Sequence, residues 1–157
     1  MQALRTAILA AVLTITSEAA TDAQSTTYLY DADGRSAGTL RQSDGTTTEY
    51  DATGRTTGTL RSQRSVTTEY DRSGRIEGTA RRSGSETWFT DAQGRSSGRS
   101  MASGDTVSYY DATGRVQGTA RRQGETTYYY DANGRSAGSA RGQVEADYWP
   151  MAVDKGP

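Results

Sequence analysis

From residue 25 to residue 141, stretches of Thr, Tyr, Leu and Ala alternate with short runs of Asp, Ser and Gly, and the pattern returns every twenty residues. Segments such as Thr46-Thr47-Thr48-Glu49-Tyr50 and Glu125-Thr126-Thr127-Tyr128-Tyr129-Tyr130 are rich in residues that favour strands. Between them stands an Asp-x-x-Gly-Arg-x-x-Gly frame, beginning at Asp31, Asp51, Asp71, Asp91, Asp111 and Asp131. Its first glycine recurs at Gly34, Gly54, Gly74, Gly94, Gly114 and Gly134. Asp at the first position accepts backbone hydrogen bonds, and Gly at the fourth supplies the left-handed residue of a type I turn with a bulge. A weaker turn fills the other half of each copy, at Ser43-Asp44-Gly45, Ser83-Gly84, Ser103-Gly104 and Gln123-Gly124. The second copy has Ser62-Gln63-Arg64-Ser65 there, with no glycine, which predicts the loosest turn of the set.

A fixed period of this length marks an array of one small stacked unit. The expected fold is all-β: an antiparallel meander of six 20-residue β-hairpin repeats. An open twisted or coiled single sheet ranks first, with a closed barrel of about twelve strands as the alternative. That ranking follows from the expected register, which sets Tyr30 opposite Ser36, Tyr28 opposite Gly38 and Thr26 opposite Leu40 on one face. Such a face holds Tyr rings over cross-strand glycines but little aliphatic bulk, too little to fill a wide barrel. The opposite face then pairs Asp31 with Arg35 and carries Thr39 and Arg41, and the second turn needs a loop of odd length. An open sheet exposes its edges at Ser25–Tyr30 and at 136–143.

The ends of the chain depart from the repeat. Arg5 precedes an apolar run at 6–15 (TAILAAVLTI), and small and polar residues follow to residue 24. This is the order of a secretory signal peptide, and ten residues fall short of the roughly 20 needed to cross a bilayer. Cleavage after Ala23 is preferred, with Ala19 the runner-up. The expected division is a signal peptide at 1–23, the hairpin array at 24–145, and a carboxy-terminal cap or tail at 146–157. The expected location is secreted, periplasmic or at the cell surface, with no stable membrane insertion once the leader is removed.

Removing Arg5, Glu18 and Asp22 leaves 17 basic and 17 acidic residues, from 18 and 19 in the full chain. A neutral balance argues against a general nucleic-acid partner. The chain has no His and no Cys, so the usual general base, thiol nucleophile and transition-metal ligands are missing. A calcium loop at Asp31-Ala32-Asp33-Gly34 is unsupported by the other copies, which keep one carboxylate per turn where that ion wants six to eight oxygens. No enzyme activity, metal or cofactor is expected. Two kinds of row remain as candidate ligand-binding features. The aromatic row is richest at Trp88, Phe89, Tyr109, Tyr110, Tyr128 and Tyr129; the arginine row runs through Arg41, Arg61, Arg81, Arg121 and Arg141, with Met101 interrupting it. Packing and internal ion pairs, to Asp of the turns and to Glu49, Glu69 and Glu125, are the plainer readings of both rows. The sequence therefore predicts an exported, non-catalytic repeat protein with a structural or adhesive role. A module binding carbohydrate or an envelope polymer is the alternative. Self-association or a surface partner is expected through the sheet edges.

The frame Tyr50-Asp51-Ala52-Thr53-Gly54-Arg55, preceded by Gly45-Thr46-Thr47-Thr48, resembles the YD repeats of Rhs-type proteins. The resemblance runs from Tyr28 to about Arg141. It implies β-sheets that wind into shells around toxin domains, and carbohydrate binding in some surface proteins. YD repeats usually carry a large hydrophobic residue after Gly-Arg, where this chain has Ser36, Thr56, Ile76, Ser96, Val116 and Ser136. Tyr128-Tyr129-Tyr130-Asp131-Ala132-Asn133-Gly134 is also similar to the choline-binding type of cell-wall repeat, without the Gly-Trp that builds its ligand cage.

Overall fold

The structure is a computed structural model and describes residues 24–142. The expected signal peptide at 1–23, and the expected cap at 146–157 with Tyr148, Trp149 and Met151, lie outside the described residues. Twelve strands follow one another as β1 (Ser25–Tyr30), β2 (Ser36–Ser43), β3 (Thr46–Asp51), β4 (Thr56–Gln63), β5 (Val66–Asp71), β6 (Ile76–Ser83), β7 (Glu86–Asp91), β8 (Ser96–Ser103), β9 (Thr106–Asp111), β10 (Val116–Gln123), β11 (Thr126–Asp131) and β12 (Ser136–Arg141). Each pairs antiparallel with its neighbours in sequence, and β1 pairs with β12, so the meander closes into a barrel. The all-β hairpin array is as expected, in its closed alternative form rather than the open sheet. Of the free edges expected at Ser25–Tyr30 and 136–143, the described residues Tyr28, Leu29 and Tyr30 are instead paired with Arg141, Ala140 and Ser139.

The framed turns sit at one end of the barrel. Asp31 N donates to Arg35 O at 2.9 Å, and Gly34 N donates to Asp31 O at 3.0 Å. The Asp31 Oδ1 then accepts the amides of Asp33 and Arg35 at 3.0 and 2.8 Å. The same bonds recur around the other five copies. At the opposite end the connections have two residues, with Ser43 paired to Thr46 and Gln63 to Val66. Even loops replace the odd ones expected, and Arg64 takes a left-handed φ of 56° where its turn has no glycine.

One residue per repeat inverts the expected faces. Tyr30 does lie opposite Ser36, but Leu29 rather than Tyr28 lies opposite Gly38, and Thr27 opposite Leu40. Ala37 is the extra residue of a β-bulge, and a one-residue shift sends every later side chain to the other face. The interior therefore receives Thr27, Thr47, Thr67, Thr87, Val107 and Thr127, with Leu40, Leu60, Ala80, Ser100, Ala120 and Ala140, all buried. The next ring inward from the framed turns is Leu29, Glu49, Glu69, Phe89, Tyr109 and Tyr129, each opposite a glycine of the following strand.

This ring explains closure. Large side chains project from the odd strands, and the facing glycines leave the space they fill. Leu40, Leu60, Val107, Tyr109, Ala120, Tyr129 and Ala140 form one core, with Leu29, Phe89, Ala102 and Ala137 packed against it. The apolar bulk that Tyr28 and Tyr30 lacked is supplied by the residues between and beyond them. Gly38 also permits close strand approach: at its φ of 151°, a Cβ would run into the Tyr50 carbonyl oxygen. Closure removes the last exposed backbone edges, which an open meander cannot do.

Candidate functional site

The acidic residues are largely spoken for before any site is assembled. Thr53 Oγ1 donates to Asp51 Oδ1 at 2.7 Å, and the Thr53 and Arg55 amides join it at 2.8 and 3.0 Å. That Thr53 hydroxyl bond, ahead of the amide bonds, holds the Asp51 carboxyl below its ordinary range; Thr113 does the same for Asp111. At Asp71, Asp91 and Asp131 the amide of the framed arginine is the leading cause of the same downward shift. Each turn carboxylate is thus a backbone acceptor. Glu49 and Glu69, which the sequence offered as partners for the arginine row, sit on the opposite side of the wall, in the interior ring.

The outer face is consequently rich in arginine. Arg41, Arg61, Arg81, Arg121 and Arg141 are exposed at one level of the barrel, and Met101 takes the sixth position. Among the described residues none of these five makes an ion pair, whereas Arg35–Asp33, Arg95–Asp91 and Arg99–Glu86 are paired. The neutralising ladder expected for this row is not there. Aromatic rings accompany it instead. Arg81, Arg121 and Arg141 stand directly across from Trp88, Tyr128 and Tyr28. Arg41 and Arg61 face threonines, and their guanidinium carbons lie over the Tyr50 and Tyr70 rings at 5.2 and 5.4 Å from the centroids. A guanidinium at that range is attracted by the ring face while most of its donors stay available to a ligand.

The sequence candidates divide across the barrel wall. Trp88, Tyr110, Tyr128, Arg81 and Arg121 are on the outer face, with Trp88 47% and Tyr128 39% exposed. Tyr109 and Tyr129 are buried, and Phe89 packs on the core, so these three are interior packing rather than ligand-binding surface. Neighbouring aromatic residues in one strand must point to opposite sides.

Arg99 was missed. Its guanidinium lies between two rings, 5.7 Å from the Trp88 centroid and 4.9 Å from that of Tyr110. Glu86 Oε1 accepts from Arg99 Nη1 at 2.9 Å, and both side chains are about one-third exposed. A sequence signal existed. The residue after the second glycine is Thr39, Thr59, Thr79, Thr119 or Ser139 in the other copies, and Arg only at Arg99.

No protein-family model and no curated protein matches the sequence. A solved X-ray structure of a protein from Arabidopsis thaliana is similar, with a TM-score of 0.51 and 9% identity. The match covers 80% of this chain and 82% of that one. At this identity the likeness concerns the fold alone.

Proposed function

We propose that the protein is an exported, non-catalytic adhesive module that holds an anionic polysaccharide against the outer wall of its barrel. The observation that carries this reading is the belt of Arg41, Arg61, Arg81, Arg121 and Arg141, exposed, free of ion pairs among the described residues, and each beside an aromatic ring. Charge-assisted hydrogen bonds from arginine suit carboxylates and sulfates, and ring faces suit the C–H surfaces of sugars. Repetition around the wall offers several weak contacts at once, which is how avidity arises without a deep pocket.

The surface chemistry supports binding rather than turnover. The six framed aspartates are committed to turn amides, and a concavity beside Arg121 is an open polar depression lined by Asp105, Thr106, Arg121, Arg122, Gln123 and Gly124. Among the described residues no helix is long and apolar enough to cross a membrane. That says nothing of strands, but the outer face does: an arginine presented to lipid costs roughly 2–4 kcal/mol at the midplane, and this wall presents the five of the belt and Arg99.

The test is retention of the mature chain on immobilised polyuronate, sulfated glycan and neutral glucan across a salt series. Retention on the two acidic supports, lost in an Arg81→Ala/Arg121→Ala/Arg141→Ala variant of unchanged melting temperature, is the expected outcome. Equal retention on neutral glucan, or none on any support, overturns the reading.

A further inference from the structure

The belt is not uniform, and its departures from the repeat are concentrated. The position of Trp88 is Tyr28, Thr48, Thr68, Ser108 and Tyr128 in the other copies; the positions of Arg99 and Met101 are otherwise Thr or Ser, and Arg. The register brings all three together. Arg81, Trp88, Arg99 and Tyr110 lie in one row across β6, β7, β8 and β9, and Glu86 faces Met101 in the adjoining row. Trp88 is the one residue at its repeat position with an arginine on both sides: the others have Arg141 and Thr39, Arg41 and Thr59, Arg61 and Thr79, Met101 and Thr119, or Arg121 and Ser139.

The two arginines beside Trp88 are in different states. Arg99 is clamped, bonded to Glu86 and stacked between two rings. Its position fixes the indole and closes one side of it. Arg81 is exposed and has no ion pair among the described residues. A ligand lying on the indole therefore meets one available guanidinium, borne by the residue directly opposite Trp88 on the neighbouring strand. A pyranose stacked on the indole can turn a carboxylate on its rim toward that guanidinium.

We propose that Trp88 and Arg81 form a subsite for one hexuronate unit, the sugar stacked on the indole and its carboxylate bonded to Arg81, with Arg99 as the positioning residue that holds the indole. This assignment rests on the reading of the belt as a polysaccharide surface, and it names the acid as a carboxylate on a six-membered sugar. Met101, in place of the arginine found in other copies, keeps a second free cation away from the row.

Tryptophan fluorescence tests it apart from the belt. In the full mature chain carrying Trp149→Phe, Trp88 is the sole indole. A trigalacturonate is titrated in, with neutral maltotriose and a single-stranded trinucleotide as comparisons. A saturable change with trigalacturonate alone is expected. Arg81→Ala should weaken it by roughly tenfold. Arg99→Lys, which keeps the charge but not the planar stack, should change the emission of the unliganded protein as well as weaken binding. No response to trigalacturonate while the protein still binds long polyuronate overturns the subsite and leaves the belt. A stronger response to the trinucleotide overturns the sugar assignment, and an equal response to maltotriose overturns the role of Arg81. Failure of the long polymer to bind while trigalacturonate saturates Trp88 overturns the belt and leaves the subsite.

Discussion

Glu49 reaches across Gly58 inside the barrel: its Oε2 stands 3.4 Å from the point a Cβ on Gly58 would occupy, and the Tyr70 carbonyl oxygen stands 2.8 Å from that point. The second glycine of the frame is therefore a spacing device, making room for a neighbour's side chain and backbone. The first glycine has another task. Gly54 has a φ of 81° and no atom within 4 Å of an added Cβ. Gly54→Ala should cost about 1 kcal/mol, through backbone conformation alone. Gly58→Ala should cost roughly 2–3 kcal/mol, because backbone must move. Urea melts of the two variants decide it, and equal midpoints would show that the interior ring gives way freely.

The same carboxyl makes stability depend on pH. Glu49 Oε1 is buried with no hydrogen-bond partner among the described residues. Burial first, and the negative charge of Glu77 second, push its pKa from 4.5 up to about 7. A raised folded pKa contributes stability that is complete below the unfolded value and lost as pH rises through the folded one. The loss should amount to about 3 kcal/mol between about pH 4.5 and pH 8. Glu49→Gln should flatten this slope and be the more stable protein above pH 7.5, as read from urea midpoints over a pH series. The turn aspartates Asp51, Asp71, Asp91, Asp111 and Asp131 act in the other direction, since their lowered pKa values contribute stability that is lost on acidification. A wild type whose stability rises steadily from pH 5 to pH 8 would contradict the interior placement of Glu49.

Ser100 offers a test of the inner wall with a built-in control. It is fully buried and its Oγ has no hydrogen-bond partner among the described residues. Ala80, Ala120 and Ala140 fill the corresponding place in other copies. Ser100→Ala should therefore stabilise the barrel by about 1 kcal/mol, the cost of an unsatisfied hydroxyl being removed without leaving a cavity of consequence. Ala120→Ser should lose a similar amount. A destabilised Ser100→Ala would mean that the hydroxyl has a bonding role.

What was legible in the sequence is what is local. Asp51 and Gly54 form their turn through atoms within four residues of one another, so period and composition were enough to read it. The bulge at Ala37, Thr57, Glu77, Ser97, Gln117 and Ala137 left no such mark, since these residues share neither size nor polarity. That one residue reversed the faces, which turned Tyr129 from candidate ligand surface into core and left Trp88 outside. Glu49 and Glu69 added to the error: acidic residues in a column suggest solvent, although here the column points inward. Closure was illegible for the same reason, because the sparse face on which the open sheet was ranked first is the outer one. Trp88 and Arg81 could be named as candidates, but their placement side by side depended on the register of β6 and β7.

The junction of β1 with β12 should be the first part of the barrel to open. Among the described residues it is formed from the three pairs Tyr28–Arg141, Leu29–Ala140 and Tyr30–Ser139. The adjoining junctions of β1 with β2 and of β11 with β12 have six and five. It also joins residues far apart in sequence, so no hairpin turn holds its ends together as the chain closes. Local opening free energy follows the contacts that must be broken. Backbone amides of 28–30 and 139–141 should therefore exchange with deuterium at least about tenfold faster than those around Leu60 and Val107, at a pH where exchange reports the opening equilibrium. In its closed form the barrel has no free edge at β1, so the protein should sediment as a monomer over a concentration series. Mild urea that accelerates exchange at the junction should then bring on association, because it re-creates the edge that closure hides. Uniform exchange around all twelve strands would show instead that the barrel opens only by global unfolding, with the three-pair junction as strong as the rest.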